Sequence, residues 1–288
     1  MLKIYDAIAP EILEKHVRTS LSEDIGEGDM TTSLTVDPAV RGAGRFISRQ
    51  QGIVCGLELL KIVYKCLSEK KAADFNFLWE KSDGDIVNKE EEILQVEGPL
   101  DILLTGERVA LNYLQQLSGV ASATRRLVDI ADFYNVRVYD TRKTVPHLRK
   151  LQKYAVRCGG GYNHRMRLDK GVMIKDNHKQ AAGGLKAALE KIDFSEDKEI
   201  VVEIHSPEEI ETALNFDIDV LMLDNMTPER IEKIINHMPE EIEVEISGGI
   251  NELNLEDYCK TGVDRVSAGS ITHSFDSLDI SFGLINNG

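Results

Sequence analysis

The chain has 288 residues, 42% of them hydrophobic and 29% charged, and a formal net charge of −15 at pH 7. That length suits one large or two ordinary domains around a sizeable core, and the composition is that of a soluble globular protein, not of a disordered or fibrous one. No apolar run reaches the roughly 18 residues of a membrane span, the N-terminus is charged throughout, unlike a signal peptide, and Cys55, Cys66, Cys158 and Cys259 stand far apart, which argues against zinc and a disulfide framework and for reduced thiols in the cytoplasm.

Ile12, Leu13, Val17 and Leu21 fall at helical spacing, and a loop rich in Gly, Asp and Thr follows, EDIGEGDMTTS. Short strand-like segments come next: Gly44–Ser48, Gly52–Cys55, Phe75–Trp79, Ile86–Val87 and Ile93–Val96, with a helical stretch near Leu57–Leu67 and an Asp83-Gly84 turn signal. This is α+β grammar with antiparallel pairing. DGDIVNKEEEILQVEG resembles half of a lipoyl or biotinyl carrier. The second half is missing, because a helix is expected from about Asp101 to Ser118.

The pattern changes after about residue 120. Apolar runs of strand length recur at Val136–Tyr139, Val172–Ile174, Ile200–Ile204, Val220–Leu223, Val244–Ile246 and Arg265–Ala268, each followed by a helix-length segment. Repeating βα units imply parallel strands with right-handed crossovers. A closed or nearly closed α/β barrel fits best, with chemistry at the C-terminal strand ends. A doubly wound sheet is the alternative, but no G-x-G-x-x-G follows a strand.

Residues 137–179 hold 12 Lys or Arg against 3 Asp, a net of +9, so the rest of the chain sums to −24. A basic island in an acidic protein implies a focused field for a small, highly charged anion. The acidic remainder would repel a long nucleic acid. Arg142, Lys143, His164, Arg165 and Lys175 would converge from adjacent units as anion binders. Arg149, Lys150, Lys153 and Arg167 are expected in solvent as surface ion pairs. SGGI (Ser247–Ile250) and SAGSITH (Ser267–His273) end the last two strands, where glycine-rich loops of barrels commonly hold phosphate. Glu203 and Asp224 end successive strands. They would suit ribose hydroxyls and Mg²⁺, or an acid/base pair as in glycosidases. Gly159–Gly161 would let a loop approach a ligand, or serve as a plain turn. Lys143 or Lys175 at a strand end also fits a Schiff-base aldolase.

DTRKT, KYAVRCGGGYNHR, IKDNH, VEIH, LMLDN, EISGGI and AGSITHS, preceded by EDIGEGDMT and the stretch Leu103–Thr124, resemble the quinolinate phosphoribosyltransferase family, the carboxylating nicotinate-nucleotide pyrophosphorylases, in order along nearly the whole chain. The resemblance implies an α/β fold: an open seven-stranded TIM-like barrel (106–274) beside an N-terminal α+β domain (1–105), with the tail 275–288 packed back on the latter. It implies the conversion of quinolinate and phosphoribosyl pyrophosphate to nicotinate mononucleotide, pyrophosphate and CO₂ with Mg²⁺, in the cytoplasm, by a homodimer or larger homo-oligomer that binds neither nucleic acid nor membrane. Arg142, His164, Arg165 and Lys175 then clamp quinolinate, and Arg108 reaches the partner's site. Lys143, Glu203 and Asp224 are catalytic and handle sugar, diphosphate and metal, while Thr141, Ser247, Gly248, Gly249, Ala268, Gly269 and His273 complete the substrate site. Arg167 and His147 depart from the smaller residues common in the family. A related protein encoded with molybdate transporters and a non-catalytic sensor of anionic metabolites are the rival readings.

Overall fold

The computed structural model describes residues 3–69 and 73–285. In chain order the elements are α1 (Ile4–Ala7), α2 (Pro10–Ile25), α3 (Met30–Thr35), β1 (Arg41–Ser48), β2 (Gly52–Ile53), α4 (Leu57–Ser68), β3 (Asn76–Trp79), β4 (Ile86–Val87), β5 (Glu92–Pro99) and α5 (Leu100–Ala131). They continue with β6 (Arg137–Tyr139), α6 (Arg149–Cys158), β7 (Val172–Ile174), α7 (Asp176–Ala182), α8 (Leu185–Leu189), β8 (Ile200–Ile204), α9 (Pro207–Ala213), β9 (Val220–Asp224), α10 (Pro228–Ile235), β10 (Glu243–Ser247), α11 (Leu255–Cys259), β11 (Arg265–Ser267), α12 (Ser270–His273) and β12 (Ile280–Ile285). The described residues form two compact units, one running to Arg125 with Lys150–Gly160 and the segment from Phe275, the other Arg126–Arg149 with Gly161–Ser274.

In the first unit an antiparallel sheet runs in the order β12-β1-β5-β3, and β2 pairs with β4. Helix α2 starts with Pro10, whose missing N–H costs nothing there, and buries Leu13, Val17 and Leu21 at a spacing of four. Helix α4 buries Leu59, Leu60, Val63 and Tyr64. Tyr64 stacks on Phe75 at 5.5 Å, and Phe77 stacks on Trp79 at 5.4 Å. Within the loop expected between α2 and β1, the structure has α3 instead. Asp29 caps it, accepting from the Thr32 backbone N–H at 2.9 Å and from the Thr32 hydroxyl at 2.6 Å. Helix α5 is longer than expected. Gly119 does not stop it, because a Cβ there would lie 2.4 Å from the Asp276 carbonyl. The glycine is needed for close packing, while Val120, Ala121, Leu127 and Val128 continue the buried face.

In the second unit six parallel strands run in the order β6-β11-β10-β9-β8-β7. All six runs expected from the sequence form these strands. The seventh position is taken by the segment at Tyr162, which bridges to Tyr139 in parallel: the Tyr162 N–H donates to Val138 O at 2.7 Å and the Asp140 N–H to Tyr162 O at 3.0 Å. The barrel is open. Its sheet has one face divided by chemistry. Val201, Val220 and Met222 pack together with Met173 on β7, β8 and β9. Across the register, Glu245 stands beside both Met222 and Arg265, and Arg265 beside Arg137, so β10, β11 and β6 line their share with charge.

Candidate active site

A cavity of about 520 Å³ lies at the C-terminal strand ends of the second unit. Thr141, Arg142 and Lys143 follow β6, Lys175 follows β7, Ser247, Gly248 and Gly249 leave β10, and Gly269 and His273 follow β11; all of these, with His164 and Arg165, line it. Met173 and Met222 add an apolar floor suited to a flat ring, and the exposed Leu168 lines the cavity as well. Eleven of the residues singled out from the sequence thus meet on one wall.

Neither arginine is paired with a carboxylate among the described residues. Arg142 Nε and Arg165 Nε are buried without a hydrogen-bond partner. One Arg165 nitrogen donates to Gly171 O at 2.7 Å, and the Arg142 carbonyl accepts from Arg149 at 3.2 Å, which fixes the backbone beneath the side chain. Burial, and then the adjacent Arg142 charge, hold the Arg165 guanidinium below its ordinary pKa. Two like charges held this close suit a ligand that bears carboxylate or phosphate groups.

His164 is anchored from below. Its Nε2 shares a hydrogen bond of 2.7 Å with Glu245, which is wholly buried, and one of 2.8 Å with the Ser267 hydroxyl. Ser267 also donates to Glu245. Arg265 closes the network, 3.7 Å from Glu245, 2.9 Å from Glu199 and 2.8 Å from Glu243, with its guanidinium 5.1 Å from the Tyr139 ring centre. Burial opposes the Arg265 charge, yet these carboxylates leave its pKa above the ordinary value. Sequence reasoning missed Glu245 and Arg265 and placed Ser267 only in a phosphate loop.

The two glycine loops are shaped around close approaches. Gly248 has φ +99°, and a Cβ there would sit 2.3 Å from Asn225 Oδ1, so no other residue fits without displacing Asn225. A Cβ on Gly269 would meet His273 Nε2 at 3.0 Å and Lys143 Cδ at 3.2 Å, so these two side chains flank bare backbone at the start of α12. The Thr272 hydroxyl donates to Lys143 O at 2.8 Å and ties the two loops together.

Glu203 and Asp224 stand behind the wall. Glu203 is buried and pairs with Lys175, with His205 Nε2 3.6 Å from its other oxygen. Asp224 accepts from the Ser247 hydroxyl and, at 2.6 Å, from the Asn225 amide. Each carboxylate therefore contacts a residue of the wall without lining the cavity itself. Ala268 is buried and spends its N–H on Tyr139 O at 3.0 Å, and the structure does not bring it to the wall. Asp176, Glu203 and His205 offer donor atoms within 4.8 Å of one another. Arg108, on α5, belongs to the first unit. Its side chain is 59% exposed and meets Glu107 at 4.0 Å.

The expectation that Arg149, Lys150, Lys153 and Arg167 sit in solvent holds for two of them. Arg167 pairs with Asp169 at 2.8 Å on the surface, and Lys150 is exposed. Lys153 is wholly buried, because α6 is covered on several sides, and Arg149 binds Thr144 and the Met166 and Arg142 carbonyls. Gly159 serves packing: a Cβ would lie 2.4 Å from Ala121 O on α5.

Residues 29–118 match the family described as quinolinate phosphoribosyl transferase, N-terminal domain, and residues 120–283 match its C-terminal domain. A Bacillus subtilis protein named probable nicotinate-nucleotide pyrophosphorylase (carboxylating) is 40% identical over 274 residues, covering 94% of this chain and 93% of its own. A Methanocaldococcus jannaschii protein of the same name is 40% identical over 297 residues, covering 99% of both. The solved nicotinate-nucleotide pyrophosphorylase of Francisella tularensis superposes with a TM-score of 0.91 at 35% identity, over 99% of this chain and 100% of that one.

Proposed function

The chain belongs to the quinolinate phosphoribosyltransferase family, and we infer that its barrel cavity carries out the decarboxylating reaction with the residues that line it. Quinolinate and phosphoribosyl pyrophosphate become nicotinate mononucleotide, pyrophosphate and CO₂, a step of NAD biosynthesis. The observation that carries this assignment to the cavity is the pair of buried guanidinium nitrogens, Arg142 Nε and Arg165 Nε, that have no hydrogen-bond partner among the described residues. Quinolinate brings two carboxylates. Arg142 and Arg165 take them, with Lys175 beside them and His164 held upright by Glu245.

The pyridine nitrogen attacks the anomeric carbon as diphosphate leaves, through an oxocarbenium-like transition state that positioning and charge stabilise. Lys143, flanking Gly269 with His273, receives the diphosphate charge, and the Ser247–Gly249 and Gly269 loops hold phosphate by their backbone. Glu203 and Asp224, acting through or beside Lys175 and Ser247, orient ribose hydroxyls and oppose the developing positive charge. Ribosylation makes the ring a pyridinium, which eases loss of the neighbouring carboxylate without a dedicated acid or base. Mg²⁺ supplies neutralisation of the diphosphate when bound. Both carboxylates already accept from protein donors, so they fit a phosphate-borne ion reached through water, as Mg²⁺ prefers.

Arg108 is exposed and has only the long contact with Glu107 among the described residues, which supports its use in a second subunit's site and hence a homodimer or larger assembly. The four free thiols favour the cytoplasm. No helix among the described residues is long and apolar enough to cross a membrane. The test is CO₂ release from carboxyl-labelled quinolinate by the purified chain, which should require phosphoribosyl pyrophosphate. Nicotinate lacks one carboxylate and leaves a buried cation unpaired, at a cost on the order of 3 kcal/mol. Comparable turnover of nicotinate, or CO₂ release without the phosphoribosyl donor, refutes the assignment.

A further inference from the structure

Away from the barrel cavity, the first unit holds a cluster that the reaction does not use. Cys55 lies between β2 and α4, fully buried, with its backbone pinned at both ends: its N–H donates to Ser118 Oγ at 2.9 Å and its carbonyl accepts from the same hydroxyl at 3.3 Å. Cys158 ends α6 and is half-buried. The two sulfurs and a carboxylate oxygen of Asp83 lie within 4.8 Å of one another. Asp83 is itself fixed: one oxygen accepts from the Gly56 and Leu57 N–H groups at 2.9 and 3.0 Å, the other from the Tyr154 hydroxyl at 2.8 Å.

We propose that Cys158 and Cys55 form a dithiol oxidation site, in which Cys158 reacts with a small-molecule disulfide and Cys55 resolves the product into an intramolecular disulfide. Burial sets the order, since Cys55 is fully buried and Cys158 only half-buried. In the first step the Cys158 thiolate attacks one sulfur of the reagent. A Cys158–sulfur bond forms, the reagent's S–S bond breaks, and one reagent thiolate leaves. In the second step the Cys55 sulfur attacks Cys158 Sγ and passes its proton to Asp83. The Cys55–Cys158 bond forms, the mixed disulfide breaks, and the second reagent thiolate leaves, to be protonated by solvent. Two protein thiols are oxidised by two electrons, and one reagent disulfide is reduced to two thiols.

The local chemistry favours this use of the three groups. Burial, with the Cys158 sulfur and the Asp83 charge, pushes the Cys55 thiol up, so it needs a proton acceptor before it can attack. Burial also raises the Asp83 carboxyl, against the hydrogen bonds it accepts, and makes it a better acceptor than an exposed carboxylate. Cys66 is half-buried and Cys259 buried. Neither belongs to a second such cysteine pair among the described residues, so they provide internal controls.

The experiment incubates the full-length native protein with oxidised glutathione, quenches by acid, and maps peptides by mass spectrometry without reduction. The expected product is a peptide pair joined through Cys55 and Cys158, with two hydrogens lost and no glutathione on either residue. Cys66, if it reacts, should carry a persistent glutathione adduct. In Cys55→Ser the reaction should stop with glutathione on Cys158. In Asp83→Asn that adduct should form at the wild-type rate and resolve at least tenfold more slowly. If the variants do not fold, wild-type mapping alone still decides. A stable glutathione adduct on wild-type Cys158, or a free Cys158 thiol under conditions that modify Cys66, overturns the proposal.

Discussion

Arg142→Met should make the protein more stable and a worse enzyme. In the absence of ligand the Arg142 side chain makes no hydrogen bond or ion pair among the described residues, its Nε is buried and unsatisfied, and its charge depresses the ionisation of Arg165. Methionine fills similar space without a charge, and the backbone stays held by Arg149. A buried unsatisfied polar group costs about 1–3 kcal/mol, so relief on the order of 1 kcal/mol is expected, a Tm rise of roughly 2–4 °C for a protein of this size. The opposite holds once quinolinate is present. A charge-assisted hydrogen bond is worth about 1.5–3 kcal/mol, which converts to a ~10- to 150-fold rise in quinolinate KM. The preference for quinolinate over nicotinate should shrink by the same factor, because Met no longer penalises the missing carboxylate. Thermal denaturation with and without quinolinate, beside steady-state CO₂ release, reads both effects. A variant that melts lower than wild type without ligand and keeps its KM would refute the reasoning, since it would make Arg142 a structural residue and not an anion clamp.

Three further outcomes follow from the same geometry. Glu203→Gln and Asp224→Asn keep shape and remove charge behind Lys175 and Ser247; turnover should fall by about 10²-fold or more while quinolinate affinity, measured by equilibrium binding, changes little, and a variant with poor binding but normal saturated turnover contradicts the roles assigned. Gly248→Ala puts a Cβ 2.3 Å from Asn225 at φ +99°; the KM for phosphoribosyl pyrophosphate should rise at least tenfold with far-UV circular dichroism unchanged, and a wild-type KM would remove Gly248 from the phosphate loop. Arg108→Ala and Lys143→Ala should each be inactive alone, and after verified subunit exchange a mixed dimer should regain about half of wild-type activity, since one of its two sites carries neither defect; no recovery would mean that Arg108 serves its own chain.

The barrel strands were legible because each is a buried apolar run closed by a polar residue at its C-terminal end, and the cavity residues were legible because those ends carry the chemistry. The antiparallel strands of the first unit were legible through their turns. Helix α3 was hidden by its own cap: Asp29 and the threonines after it look like loop composition until the side chain is seen to accept from Thr32. Lys153 was misplaced because a lysine on a short amphipathic helix is ordinarily in solvent, and only the packing around α6 buries it. Arg142 and Arg165 could be named from the sequence as anion binders, but the burial of their Nε atoms without a hydrogen-bond partner among the described residues could not, since it depends on the packing around them.

The charged half of the barrel interior is the most instructive miss. Glu243, Glu245 and Ser247 alternate along β10 with Val244 and Ile246, a two-residue period that belongs to strands with one polar face, whereas parallel barrel strands are expected to be apolar on both. The alternation was in plain view as Val244–Ile246 flanked by acids. Apolar side chains of similar volume would fill that space without the desolvation penalty of Glu245 and Arg265, and buried ion pairs seldom repay it. Stability therefore does not account for them. Their position does: β6, β10 and β11 carry Arg137, Glu243, Glu245 and Arg265, and the same three strands end in Thr141–Lys143, Ser247–Gly249 and Gly269, on the wall of the cavity. The apolar half lies on β7, β8 and β9, around Met173 and Met222. The buried carboxylate of Glu245 is spent on His164, fixing a polar side chain at the floor of a site that must meet a charged ligand, and leaving the apolar floor to the ring.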